Sequence, residues 1–293
     1  MSTRQTTGVF LESVGEVVSE SAATSVRWFP VILVHALAAV ALSYPVILSL
    51  SKELPLASGD TADSLYRNLF ILRWQAERLA HFYSGYWEAP LHFPHPSAFA
   101  FFDGQPLSGA MFAGVRAMTR SPVVAFNSVI LVLLTFNGVA FSALARAVKT
   151  GWAGAVAVGL LGQASPIALA NLSDPTALVS FPLVFAIASL GRFSVTGELR
   201  WAVALGLCGV LAFGTSTALF FAMVMTLPFL ALVLLLRARP VLSGVQLTGV
   251  VAVFLGLLAY PLWRQWSVLG SHSGAEPALL SVQQWLRVPP GGV

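Results

Sequence analysis

Residues 201–236 read WAVALGLCGVLAFGTSTALFFAMVMTLPFLALVLLL and contain no charged side chain. As a single helix this run would be about 54 Å long at 1.5 Å per residue, whereas the hydrocarbon core of a bilayer is about 30 Å thick. Arg200 precedes the run, and Arg237 and Arg239 follow it, so both of its ends favour the cytoplasmic side of a membrane. The run therefore predicts two membrane-spanning helices, joined by a turn near residues 214–217.

The composition of the whole chain supports this membrane interpretation. Of its 293 residues, 57% are hydrophobic and 10% are charged, and the mean hydropathy is +0.80, whereas soluble domains carry about 25% charged residues. The apolar runs are continuous rather than alternating, which excludes a transmembrane β-barrel and indicates an all-α, polytopic membrane protein. The basic residues behind the net charge of +4 are scattered over loops, so they predict topology and no nucleic-acid partner. The single cysteine, Cys208, lies within a predicted span and excludes disulfides within the chain.

Uncharged runs predict about seven membrane-spanning helices. They cover residues 29–50, 122–145, 151–173, 175–191, the two halves of 201–236, and 240–263. With the N-terminus in the cytoplasm, the inner connections all carry basic residues, namely Arg146, Lys149, Arg192, Arg200, Arg237 and Arg239. The short outer connections, around Asp174 and Ser216, hold no Lys or Arg, as the positive-inside rule requires.

This topology divides the chain into a short tail and one membrane domain. Residues 1–28 predict a cytoplasmic tail, because no small-residue cleavage site follows the first apolar run. Residues 29–293 form the membrane domain, with a large outer loop at 51–121 and a C-terminal outer segment at 264–293. The chain ends on Pro289-Pro290-Gly291-Gly292-Val293, which is compatible with a truncated form of a larger protein.

The outer loop carries half of the chain's twelve acidic residues. Within residues 61–83, Leu65, Leu69 and Leu72 recur at helical spacing, and a second amphipathic stretch covers residues 107–119. Several prolines between the two stretches exclude a continuous helix. We expect two amphipathic helices at the outer membrane surface, joined by an irregular connection.

Two acidic residues stand where the first of these helices begins. Asp60 directly precedes the helix, where a side-chain oxygen satisfies free backbone N–H groups. Asp63 falls in the first turn, where the helix dipole favours an acid. A carboxylate in this place also suits general-base chemistry. The local sequence leaves two roles open for Asp60, a helix cap and a catalytic base.

Several short motifs run through the outer loop and into the next span. They are Gly59-Asp60, Tyr66-Arg67-Asn68-Leu69, Arg73-Trp74, Tyr86-Trp87-Glu88-Ala89-Pro90, Phe93-Pro94, Asp103 and Ser121-Pro122-Val123-Val124-Ala125-Phe126-Asn127. Together with the order of tail, span and long outer loop, they resemble the bacterial members of the type-C (GT-C) superfamily of membrane glycosyltransferases. The resemblance covers roughly residues 29–265.

The resemblance implies an inverting enzyme of the bacterial inner membrane. Such an enzyme transfers a sugar from a polyprenyl-phosphate-linked donor to an acceptor on the outer face. It implies that Asp60, with Asp63 in reserve, is the general base that takes the proton of the acceptor hydroxyl. The charge on the departing polyprenyl phosphate requires cationic neighbours. The candidate substrate-binding residues are Arg67, Arg73, Glu88, His92, His95, Asp103 and Arg264, with Arg116 as a further cation.

No metal site is predicted, although His92 and His95 lie close in sequence. Two imidazoles without a third defined ligand are a weak signal, and prolines break any regular element that would present both rings. Members of the family differ in whether they use a divalent cation, and we predict no other cofactor.

Two other functions remain open from the sequence. A transporter or lipid flippase would place ionisable residues within its spans, where His35 is the lone example. A non-catalytic membrane scaffold is the second alternative.

Overall fold

A computed structural model of the protein describes residues 28–56, 62–90, 97–237 and 241–272. In these ranges all regular structure is helical, which confirms the predicted all-α class. The helices are α1 (Trp28–Leu42), α2 (Ala62–Ala80), α3 (Pro106–Thr119), α4 (Pro122–Ala147), α5 (Trp152–Gln163), α6 (Pro166–Ala170), α7 (Pro175–Leu178), α8 (Phe181–Thr196), α9 (Leu199–Thr215), α10 (Thr217–Arg237) and α11 (Val241–His272). Two short 3₁₀ helices, Val46–Ser49 and Ala98–Phe101, lie in connections.

Three helical segments of the described chain are long and apolar enough to cross a membrane. They are Pro122–Ala147, Trp152–Ala170 and Pro175–Thr196, and a fourth is Leu247–Gly256 with Leu258–Arg264, which bend by 49°. Three shorter apolar helices are Trp28–Leu42, Leu199–Thr215 and Thr217–Leu232. The chain is therefore a helical protein with three or four candidate membrane spans, and the total of seven stays a prediction.

Helix α4 is the centre of the bundle, with α2, α3, α5, α7 and α8 packed against it. Its start is encoded locally, because the Ser121 Oγ accepts a hydrogen bond from the Val124 N–H at 3.3 Å and Pro122 occupies the first turn. The middle of α4 also makes polar contacts. The Asn137 side chain donates to the Leu178 carbonyl at 2.9 Å and accepts from the Phe181 N–H at 2.9 Å, which fixes the start of α8 against α4.

The first predicted span is shorter in the structure than in the sequence interpretation. The predicted helix covered residues 29–50, whereas α1 ends at Leu42 and is followed by turns and the 3₁₀ helix Val46–Ser49. Pro45 explains the difference, because a proline restricts the preceding residue and cannot donate a helical hydrogen bond.

The run at residues 201–236 is interrupted within the predicted turn, near residues 214–217. Helix α9 ends at Thr215 and α10 begins at Thr217, while Ser216 between them has an extended backbone at φ −161° and ψ 116°. Helix α10 packs against α8 and α9. The prediction that this run forms two helices is confirmed.

The predicted amphipathic helices of the outer loop are α2 and α3, and both exist. They pack against each other and against α4. Helix α2 ends at Ala80, earlier than the predicted residue 83, because Phe82 and Tyr83 adopt left-handed conformations with φ of 51° and 58°. In its described residues, 81–90 and 97–105, the connection to α3 contains turns and the 3₁₀ helix Ala98–Phe101.

The connections predicted to lie inside and those predicted to lie outside are found at different ends of the bundle. The α4–α5 and α8–α9 connections meet where the Arg192 guanidinium donates to the Arg146 carbonyl at 3.1 Å. The segment that contains α2 and α3 instead contacts the two connections predicted to lie outside, through Asn68 to the Ser173 carbonyl at 3.1 Å and through the Asp103 carboxylate to Ser216. The connections that carry Arg146 and Arg192 are thus separated from the segment that contains α2 and α3, in which six acidic and six basic residues balance. Which end faces the cytoplasm stays a prediction.

Candidate functional site

A cavity of about 650 Å³ lies between the α2–α3 connection and helix α11. This volume is in the usual range for small-molecule sites, about 300–1,000 Å³. Its walls are mainly aromatic, from Tyr83, Tyr86, Trp87, Phe99, Phe102, Phe213, Tyr260 and Trp263. Two charged side chains of opposite sign, Glu88 and Arg264, also line it, together with Thr217. We call this space the aromatic cavity.

The loop wall of the aromatic cavity is held by ring packing around Tyr86. The Tyr86 ring meets the rings of Trp87 and Phe99 edge to face, with centroid distances of 4.9 Å in both cases. The Trp74 indole N–H of α2 donates to the Tyr86 carbonyl at 2.9 Å. An otherwise irregular connection is therefore fixed in place by helix α2.

The opposite wall comes from α11, where Pro261 lies inside the helix. A proline removes one helical hydrogen bond and clashes with the preceding turn, which accounts for the 49° bend. Tyr260, Trp263 and Arg264 belong to the segment that follows this bend, Leu258–Arg264, and line the cavity. Tyr260 and Trp263 are also exposed, so they connect the cavity with the outer surface of α11.

Glu88 presents the carboxylate of the aromatic cavity. Its Oε2 accepts a hydrogen bond from the Ser97 N–H, and its Oε1 accepts one from the Ser97 hydroxyl, each at 3.1 Å. Ser97 is buried in a left-handed conformation with φ 56°. Two hydrogen bonds from one residue fix the orientation of the carboxylate.

Asp103 stands directly behind the cavity wall and has a different role. Its carboxylate accepts hydrogen bonds from the Ser216 hydroxyl at 2.9 Å and from the Thr217 N–H, so it caps the start of α10 from a distant part of the chain. The Thr217 hydroxyl in turn donates to the Gly104 carbonyl at 3.3 Å. Burial raises the pKa of Asp103, and the hydrogen bonds from Ser216 and Thr217 oppose that rise.

Two tyrosines on the loop wall of the cavity, Tyr83 and Tyr86, remain protonated hydrogen-bond donors. Burial raises the pKa of Tyr83 and, more strongly, that of Tyr86, which the nearby Tyr83 and Asp103 raise further. Tyr86 also sets the space available at Gly104, where an added Cβ would come within 3.1 Å of its hydroxyl.

The remaining predicted site residues lie elsewhere or outside the described ranges. Asp63 and Arg67 are exposed on the first half of α2. Arg73 is exposed and forms an ion pair with Glu77 at 2.9 Å, and Arg116 lies 3.9 Å from the same carboxylate. Asp60, His92 and His95 are outside the described residues. Of the predicted set, the structure brings Glu88 and Arg264 together at one cavity, with Asp103 beside it.

Of the α11 wall, sequence reasoning named Arg264 but missed Tyr260 and Trp263, and it also missed Thr217. A usable signal for the wall was present, because Tyr260-Pro261 and Trp263-Arg264 place aromatic rings and a cation beside a helix-kinking proline. Thr217 gave no such signal, since its contact with Asp103 spans more than a hundred positions.

A second polar cluster lies inside the bundle, around the fully buried His35 of α1. Its Nδ1 is 2.9 Å from the Gln163 Oε1, and its Nε2 is 2.8 Å from the Ser142 Oγ. Gly138 makes room for the ring, because a Cβ there would lie 2.4 Å from Nδ1. The cluster joins α1 to α4 and α5.

Within residues 28–56, 62–90, 97–237 and 241–272, no group of three or more His, Cys, Asp or Glu side chains is placed to hold a metal ion.

Comparison with protein-family models, curated proteins and solved structures finds no match to this chain. Functional interpretation therefore depends on the geometry of the aromatic cavity and on the chemistry of its residues.

Proposed function

We propose that this protein is an integral membrane glycosyltransferase of the type-C kind, which transfers a sugar from a polyprenyl-phosphate-linked donor to an acceptor. In this proposal the aromatic cavity is the substrate site. The observation that supports it is the composition of that cavity, in which aromatic walls surround one carboxylate and one guanidinium next to a candidate membrane span.

Each part of a lipid-linked sugar has a suitable partner in the cavity. Aromatic faces offer large, rigid apolar area to the C–H faces of a sugar ring, while tyrosine hydroxyls supply hydrogen bonds. The guanidinium of Arg264 is suited to bind a phosphate group, because its planar donors match phosphate oxygens. The exposed apolar surface of α11, with Tyr260 and Trp263, offers a lipid-facing path for a polyprenyl tail.

The proposed reaction needs a base and a stabilised leaving group. The acceptor hydroxyl oxygen attacks the anomeric carbon, the bond from that carbon to the phosphate oxygen breaks, and polyprenyl phosphate leaves with the bonding electron pair. A carboxylate takes the proton of the attacking hydroxyl. Two residues compete for that role, Asp60 from the family resemblance and Glu88 from its place in the cavity.

The test uses the full chain purified in detergent and returned to lipid vesicles. Vesicles that contain a radiolabelled polyprenyl phosphate hexose are incubated with candidate acceptors, and release of polyprenyl phosphate is measured. We expect release that depends on the protein and falls at least tenfold in the Arg264→Ala variant, since the leaving phosphate loses its cation. Arg200→Ala, which removes an exposed arginine at the start of α9 that does not line the cavity, is the matched control and should retain activity. Absence of release and of binding with every hexose donor would contradict the proposal.

A lipid transporter or flippase is the second candidate, and His35 is the observation that favours it. Ionisable residues within spans mark translocation pathways in many membrane proteins. In the same vesicles, a flippase would move the labelled lipid between leaflets and leave the sugar–phosphate bond intact. The two functions are separated by whether the label is released or relocated.

A further inference from the structure

Three buried polar side chains gather at the first turn of α3, where it packs against α2. Gln105, Ser108, Gly109 and Phe112 fall at helical spacing on one face of α3, and all four are buried. The buried face of α2 contributes Gln75. The side chains of Gln75, Gln105 and Ser108 are each 0% exposed.

Helix α2 reaches this turn at Gly109. A Cβ at Gly109 would lie 2.6 Å from the Gln75 Cβ and 3.3 Å from the Gln75 Oε1, so only a glycine permits the approach. The Gly109 N–H donates to the Gln105 carbonyl at 2.8 Å, which places Gln105 on the same turn. The carboxamide of Gln75 therefore sits against the turn that carries Gln105 and Ser108.

The polar atoms of this cluster have no protein partner in the part of the chain that the structure describes. The Nε2 and Oε1 atoms of Gln75 and Gln105 and the Oγ of Ser108 are buried without a hydrogen bond. Buried polar groups in folded proteins are nearly always paired with protein, water or ligand. Together they offer amide donors, carbonyl acceptors and a hydroxyl, with no net charge.

We infer that Gln75, Gln105 and Ser108 form a buried site for a neutral hydroxyl group that both donates and accepts hydrogen bonds. Two sources share this chemistry, ordered water and a hydroxyl of a molecule bound in the aromatic cavity. The aromatic cavity is adjacent to this site, because Gly104 and Pro106, which flank the fully buried Gln105, line that cavity. A hydroxyl from a molecule bound in the cavity rests on the proposed function, whereas an ordered water does not.

The first arm of the test measures thermal unfolding of the full chain in detergent, without added lipid. Methionine has nearly the shape of glutamine but no hydrogen-bonding amide, so Gln75→Met and Gln105→Met remove polar atoms at little cost in packing. If the site holds water, each variant lowers Tm by about 4 °C or more, because the water and its other partners lose bonds. The control is Gln163→Met, because the Gln163 amide has a known buried partner, the His35 carbonyl. Its loss of Tm shows how much a lost buried hydrogen bond costs in this protein. Ser108→Ala replaces either glutamine variant that fails to fold.

The second arm compares binding of a polyprenyl phosphate hexose with binding of bare polyprenyl phosphate. If the hydroxyl comes from the sugar, Gln105→Met weakens binding of the hexose lipid at least tenfold and leaves the bare lipid unaffected. If it comes from water, Tm falls and neither affinity changes. If the glutamine variants have an unchanged or raised Tm and unchanged affinity for both lipids, the proposed site is wrong. An amide that binds nothing is costly to bury, so an apolar side chain of the same shape would not destabilise the protein. Failure of the unmodified protein to bind either lipid would refute the proposed function and leave the thermal arm to decide the site.

Discussion

Glu88 illustrates how one residue acquires a role from its surroundings. Several carboxylates of residues 51–121 are similar in sequence, but the structure places Glu88 at the aromatic cavity with both oxygens fixed by Ser97. Asp103 lies fifteen positions later and instead caps α10. The Glu88 carboxylate lies at the cavity wall and is suited to accept a proton. The Asp103 carboxylate caps the start of α10 and is suited to position that wall.

Replacement of the competing carboxylates separates the two candidate bases. Removal of a general base typically lowers a rate about 10²–10⁴-fold. If Glu88 is the base, Glu88→Gln loses sugar transfer by about that factor at unchanged donor affinity, whereas Asp60→Asn retains it. The opposite result assigns the base to Asp60. Glu53→Gln, an exposed carboxylate of the same segment, is the control and should transfer sugar at the rate of the unmodified protein.

Asp103 predicts a measurable dependence of stability on pH. Burial raises its pKa in the folded protein above the usual value of 3.8, so folding takes up a proton between the usual and the raised pKa. The free energy of unfolding therefore falls as pH rises through that window. Asp103→Asn should remove this contribution and flatten the curve of Tm against pH from about pH 4 upward.

A second variant tests the capping role of Asp103. Asp103→Ala leaves the Thr217 N–H without its acceptor and should cost about 1–2 kcal/mol even above the pH window in which Asp103 titrates. A curve of Asp103→Asn parallel to that of the unmodified protein would show that Asp103 does not titrate in this window.

At the scale of helices, local sequence signals explain most boundaries. The pairs Ser121-Pro122, Ser165-Pro166 and Asp174-Pro175 each combine a side-chain cap with a proline in the first turn, and each begins a helix. The break at Ser216 followed from charges at both ends of its run. Pro261 predicts a kink in the turn before it, where the structure has the bend between Gly256 and Leu258. No local signal shows that this part of α11 would meet the α2–α3 connection to form a cavity. Contacts between segments far apart in sequence are the part that periodicity and capping do not encode.

The His35 cluster gives a prediction for how α1 is attached. His35→Leu should leave the Ser142 hydroxyl and the Gln163 Oε1 without their partners and destabilise the protein by about 1–3 kcal/mol, while the Gln163 Nε2 keeps its bond to the backbone carbonyl of residue 35. Thermal unfolding in detergent measures the loss. His35→Gln, which retains hydrogen-bonding groups, should cost less.

The same variants decide between an architectural and a transport role for His35. An architectural role predicts that lipid movement and sugar transfer change only as far as stability does. Loss of lipid movement in His35→Gln at unchanged Tm would instead favour the transporter alternative.

At the scale of the whole molecule, the connections are grouped at two ends. The ends of α4 and α8 meet through Arg146 and Arg192, and the segment with α2 and α3 contacts other connections through Asn68 and Asp103. Which of these ends faces the cytoplasm stays a prediction. Large apolar side chains are exposed along the helices between these regions, as lipid contact requires: Phe29, Leu37, Leu161, Leu207, Phe229 and Val253. The side of the membrane on which each loop lies can be predicted without knowledge of contacts between helices. The positive-inside rule uses only the basic residues of successive loops along the chain. The aromatic cavity depends on contacts between the α2–α3 connection and α11, which are far apart in sequence, and so it could not be predicted.

Two matched threonines allow this topology to be tested. Thr119 ends α3 and Thr196 ends α8, both are exposed, and the hydroxyl of each donates to the carbonyl four residues earlier, at 2.9 Å and 3.0 Å. The single native cysteine, Cys208, is buried, so it provides a low background for thiol labelling. With the N-terminus in the cytoplasm, Thr119→Cys should react with a membrane-impermeant maleimide on intact cells, and Thr196→Cys only after permeabilisation. The reverse pattern would invert the orientation, and labelling of both on intact cells would contradict the separation of the two ends by a membrane.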